Sequence, residues 1–163
     1  MNNSKAVVFL GLSIFLSGYA SNVLSHTFIG GLGSLKGPTA TDLLRVDCFL
    51  DPGYSQSPTH SLFFSFNDGT TTGGKLTAHA TVYNSGAYGK AISITDPRGG
   101  DGVPSASKLL NVATPTDIQD ASFYITISHT DAGAESYQLD YHCLDAYGQH
   151  TGTSEAITVL QDQ

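Results

Sequence analysis

Tyr137-Gln138-Leu139-Asp140-Tyr141-His142-Cys143-Leu144 alternates without a break. Tyr137, Leu139, Tyr141 and Cys143 fall on one face, and Gln138, Asp140 and His142 on the other. A period of two is the signature of a half-buried β-strand. The same period recurs on both sides. Leu43–Leu50 aligns Leu44, Val46 and Cys48; His60–Phe66 aligns Leu62, Phe64 and Phe66; Leu76–Tyr83 aligns Leu76, Ala78, Ala80 and Val82. Ser122–Ser128 aligns Phe123, Ile125 and Ile127. Ala91–Thr95, Lys108–Val112 and Ser154–Leu160 are further candidates, the last with Ala156 or Ile157 and Val159 setting its face. Turn residues punctuate the runs, as in Asp51-Pro52-Gly53, Asn67-Asp68-Gly69 and Asp96-Pro97-Arg98-Gly99-Gly100. From residue 26 onward no segment carries a sustained apolar period of 3.6. Seven or eight evenly spaced strands predict an all-β, antiparallel sandwich.

The residues before and within the opening stretch, Thr130-Asp131-Ala132-Gly133-Ala134-Glu135-Ser136-Tyr137 through Cys143, resemble the corner that precedes the penultimate strand of immunoglobulin-like domains. There an acidic turn leads to a tyrosine whose hydroxyl ties the corner, and a cysteine follows on the same face. The resemblance covers about fifteen residues and implies an immunoglobulin-like sandwich. Tyr141 has the two-residue spacing to the cysteine, whereas Tyr137 is nearer the turn; the tryptophan of antibody domains is absent.

The chain opens like an export signal. Lys5 supplies the positive charge, Ala6–Leu16 is an apolar run too short to span a bilayer, and small residues follow. Cleavage after Ala20 would expose Ser21; cleavage after Ser25 would expose His26. The second assigns residues 1–25 to a signal peptide and residues 26–163, 138 of the 163, to one sandwich domain, long enough for a full core. Loss of Lys5 takes the net charge from −7 to −8, which argues against nucleic acid and anionic membrane surfaces as partners. No second apolar segment suggests a membrane anchor. The expected location is periplasmic or extracellular. In that setting Cys48 and Cys143, the two cysteines of the chain, are expected to form a disulfide. Their long loop is worth about 4–5 kcal/mol in the chain-entropy treatment.

Cleavage after Ser25 would also place an α-amine and an imidazole on one residue, a chelating pair for a divalent transition metal. His142 and His150 flank Leu144-Asp145-Ala146-Tyr147-Gly148-Gln149, where a hairpin would let them converge on a terminus lying along the sheet. The stretch Asp145–Val159 resembles the end of periplasmic copper-binding proteins of the CopC class, which pair an acid and a histidine of the last hairpin with an N-terminal histidine. The resemblance implies Cu(II) held by the amine and imidazole of His26 and the imidazole of His150, with Asp145 as a carboxylate neighbour. In that family one residue separates acid and histidine; here four do. The same terminus resembles the copper brace of lytic polysaccharide monooxygenases, although no tryptophan is present to form a sugar platform.

Other chemistry is weaker. A blue-copper set would need Cys143 as thiolate with His150 and Gln149. Asp96 and Asp101 would suit calcium only outside the EF-hand spacing. His60 and His129 read as strand-end residues and His79 as solvated. No nucleophile elbow, phosphate loop or His-Glu-x-x-His motif occurs, so no enzyme activity is expected. Two functions remain: Cu(II) sequestration or delivery through His26 with His150 or His142, and a metal-free structural or adhesive surface domain.

Overall fold

The computed structural model describes residues 26–33, 40–55, 57–71, 74–84, 87–105, 107–111 and 120–163. The export segment and both cleavage positions lie outside them. Among the described residues ten strands build two antiparallel sheets: β1 (His26–Leu32), β2 (Thr41–Phe49), β3 (Ser61–Asp68), β4 (Leu76–Asn84), β5 (Ala87–Thr95), β6 (Lys108–Asn111), β7 (Asp120–His129), β8 (Glu135–Leu144), β9 (Gly152–Thr153) and β10 (Thr158–Gln161). The order is β1-β8-β3-β6 in one sheet and β10-β2-β7-β4-β5 in the other, with β9 also on β2.

The alternating runs decide which faces meet. Leu44, Val46, Phe123, Ile125, Ile127, Leu76, Ala78 and Val82 from one sheet pack against Leu62, Phe64, Phe66, Leu139 and Tyr141 from the other, all at 0–2 % exposure. Burying such side chains contributes about 1.5–3 kcal/mol each relative to exposure. Cys48 of β2 and Cys143 of β8 form the expected disulfide across the sheets, with Cα atoms 5.8 Å apart. The bond is consistent with an oxidising, exported environment. It also removes Cys143 as a thiolate ligand.

The inner strands repeat the immunoglobulin order, β2-β7-β4 facing β3-β8 with the disulfide joining β2 to β8. The edges are exchanged. In an immunoglobulin domain the first strand lies beside the second and the last beside the sixth; here β1 pairs with β8 and β10 with β2. Tyr137 does not tie its own corner. Its hydroxyl donates to Asp42 Oδ2 at 2.5 Å, between sheets, and Asp42 Oδ1 accepts the Gln163 N–H at 3.0 Å.

Two segments depart from the sequence reading. β1 has no apolar alternation to announce it, since Gly30 and Gly31 occupy its middle. Of the run expected as one strand over Ser154–Leu160, only Thr158–Leu160 is strand, in β10, which is exposed along its whole length, with Val159 and Leu160 near half exposure. Only Ile157 of that run packs against the core.

Candidate metal centre

The edge of β8 arranges the site. In the β1–β8 register His26 stands opposite Tyr141, and β1 extends from there toward the start of β8. Beyond Tyr141 the same edge is taken by the returning hairpin. Leu144 bridges His150, and the Thr151 N–H donates to the Cys143 carbonyl at 3.0 Å. The chain then crosses to β2 as β9. His26 and His150 therefore lie end to end along one strand edge, and His142 belongs to the stretch of β8 between them.

Packing defines each ring. His26 stacks on Tyr141 at 5.5 Å between centroids. His142, on the outward-pointing face, is nonetheless only 8 % exposed, because Phe63 stacks on it at 4.3 Å and His150 at 5.1 Å. Tyr54 leans on His150 at 5.9 Å. A pocket of about 300 Å³ opens beside them, lined by His26, His150, Phe49, Asp51, Tyr54 and Glu155 among others.

The surroundings of His26 and His142 favour their neutral forms. Desolvation, then the neighbouring His150, lowers the pKa of His26, with Glu155 opposing. Desolvation followed by His150 and His26 pushes His142 down to about 4. A neutral imidazole keeps a lone pair available to a metal at neutral pH. His150 Nδ1 lies 3.2 Å from the Thr151 carbonyl, a geometry in which that nitrogen carries the proton and donates. Nε2 is then the acceptor nitrogen; it is buried and has no hydrogen-bond partner, as is His142 Nδ1. A backbone acceptor on one ring nitrogen is how ligating histidines are usually oriented. Among the described residues no three His, Cys, Asp or Glu side chains are already gathered to hold a metal ion.

Asp145 occupies the turn that carries His150. Its Oδ1 accepts the N–H groups of Tyr147 and Gln149, each at 2.8 Å, and its Oδ2 accepts the Ser55 hydroxyl at 2.6 Å. This carboxylate shapes the hairpin and fastens the loop bearing Tyr54 to it. Glu155, Asp51 and Tyr54 were not legible as site residues. They come from the β2–β3 loop and the crossover after β9, and only the fold brings them to the histidines.

The remaining candidates lie elsewhere. His60 sits before β3, its N–H donating to the Leu144 carbonyl at 2.8 Å. His129 ends β7 in a buried position. The His79 ring meets the Ser93 hydroxyl. Asp96 turns inward and accepts the N–H groups of Asp68 (2.9 Å) and Arg98 (3.0 Å), whereas Asp101 is exposed and accepts that of Val103. Comparison with family models, curated proteins and solved structures finds no match to this chain.

Proposed function

We propose that the mature protein is an exported Cu(II)-binding domain for copper sequestration or delivery, with His26 as its first residue. One observation carries the reading: the residue that cleavage after Ser25 would make the terminus lies in line with His150 on the edge of β8, with neutral His142 stacked behind. The ligands would be the His26 amine and imidazole with the Nε2 of His150, and His142 within reach through side-chain rotation. Asp145 holds the hairpin, and Glu155 sets the local charge. A nitrogen-rich set favours Cu(II) over Zn(II) in the divalent series.

N-terminal sequencing of secreted protein should return His-Thr-Phe-Ile, and that material should bind one equivalent of Cu(II) in competition titration. His150→Ala should weaken binding by about 10-fold or more, and His60→Ala should leave it unchanged. A mature chain beginning at Ser21, or equal binding by the His150→Ala variant, would overturn the proposal.

A metal-free surface-binding role is the second reading. It draws on the outer face of the larger sheet, where the Thr77 and Thr95 hydroxyls meet at 2.9 Å and the Tyr83 and Tyr124 rings lie 6.3 Å apart. Retention of the domain on a polymer surface, abolished by Tyr124→Ala and indifferent to copper, would favour it.

A further inference from the structure

The end of the sandwich remote from the histidines gathers carboxylates instead. Along β8, Glu135 and His142 are separated by about 23 Å. Asp68 ends β3, Asp96 follows β5 and Glu135 begins β8; all three are at most 4 % exposed. Asp96 has backbone donors on both oxygens. Asp68 Oδ1 accepts the Thr70 N–H at 2.9 Å, and the Leu76 backbone also favours its charged form. Neither oxygen of Glu135 meets a donor at bonding geometry. A buried, ionised carboxylate with no such partner is costly, and a neutral one much less so.

Three connections meet at this cluster. The Gly69 N–H donates to the Ser136 carbonyl at 2.8 Å, and the Ser136 N–H to Thr70 Oγ1 at 2.7 Å. The Gly100 N–H donates to the Asp68 carbonyl at 2.8 Å. The Lys75 N–H donates to Thr130 Oγ1 at 3.0 Å. Gly99 approaches so closely that a Cβ there would collide with the Thr70 carbonyl and stand 2.8 Å from Asp68 Oδ2.

We propose that Asp68 and Glu135 form a proton-operated latch that closes the chain around Gly69–Thr70, Gly99–Gly100 and Thr130–Ser136 upon one another in mild acid and loosens it as both carboxylates ionise. The titratable groups facing the pair are Asp96 from the β5–β6 connection and His129 from β7; Lys75, Arg98 and Asp131 on the same connections are exposed. Desolvation is the first cause raising both carboxylates; for Glu135 the charge of Asp68 comes next, and the nearby Thr70 hydroxyl, His129 and the Gly74 backbone oppose without reversing the direction; for Asp68 the Thr70 and Leu76 backbone groups oppose and Asp96 adds. The sign follows. A folded-state pKa raised above the unfolded value stabilises the fold below the ordinary carboxylate range, and this contribution is lost as pH rises through the raised value.

The test is the melting temperature of the metal-free wild type, Glu135→Gln and Glu135→Met between pH 5 and pH 8 at fixed ionic strength. Taking the difference between variant and wild type cancels the titration of the histidines remote from Glu135, His26, His142 and His150 among them. Both variants should melt higher than wild type at pH 8, by about 3 °C or more, and the gap should close toward pH 5. Hydrogen exchange at Gly69 and Gly100 in the wild type should slow as pH falls, after correction for intrinsic rates. A pH-independent gap, variants less stable throughout, or a wild-type slope abolished by millimolar Ca²⁺, which would make the pair a cation site, would overturn the latch.

Discussion

Tyr137 and His142 sit five residues apart on β8 and answer opposite electrostatic demands. Burial and the adjacent Asp42 carboxylate raise the Tyr137 pKa, so its phenol keeps its proton and donates it. A hydrogen bond to a charged group is worth about 1.5–3 kcal/mol. Tyr137→Phe should lose that much in urea unfolding, while Asp42→Asn, which keeps an acceptor, should lose less; equal stability of Tyr137→Phe and wild type would refute the inter-sheet role. His142 is driven the other way, to about 4. Its folded value lies below the ordinary 6.5, so the stability it contributes is full above about pH 6.5 and is lost as pH falls toward 4. In an NMR titration of metal-free protein its ring should stay neutral through pH 5.5; a midpoint near 6.5 would show that the stack of Phe63, His142 and His150 does not shield it.

The strands with an unbroken period of two were readable from residues alone. Leu62, Phe64 and Phe66, or Phe123, Ile125 and Ile127, can be buried together only on one side of a pleated ribbon. The cysteines were readable because each continued such a row. Replacing Cys48 and Cys143 together by Ala should cost about 2–5 kcal/mol, measured by thermal unfolding against the oxidised parent. β1 was not readable because its middle is Gly30-Gly31. The fold requires that omission: a Cβ on Gly30 would collide with the Tyr137 ring. Gly30→Ala should therefore destabilise the chain by about 1–3 kcal/mol and weaken the seating of His26, seen as a lower melting temperature together with weaker Cu(II) binding. The final strand was misjudged because Ala156, Ile157 and Val159 look like a core row, yet the chain crosses between sheets after His150 and leaves β10 exposed. At the candidate site, the hairpin links His142 to His150 in the sequence, and His26 stands out only as the residue that cleavage after Ser25 would expose. Glu155 and Tyr54 were not legible, because no sequence period connects a crossover segment to the loop after β2.

The exchanged terminal strands give the molecule two unlike ends. Placing β1 beside β8 brings His26 to the end where the hairpin returns His150, and leaves Asp68 and Glu135 at the other. Acid should act oppositely on the two: it protonates the imidazoles needed for Cu(II), and it neutralises the buried carboxylates. Copper release in acid, below the ordinary imidazole range because His26 and His142 are held down, is thus expected from protein that remains folded, checked by following bound Cu(II) and circular dichroism in one titration. The central claim is that the His26 amine and a hairpin imidazole share one metal. The most direct measurement is the paramagnetic resonance spectrum of one equivalent of Cu(II) on protein beginning at His26, beside protein that retains Ser25. The account predicts nitrogen hyperfine structure from an amine and at least two imidazoles in the first, altered by His150→Ala, and a different, weaker site in the second. Identical spectra and affinities for the two chains would contradict it.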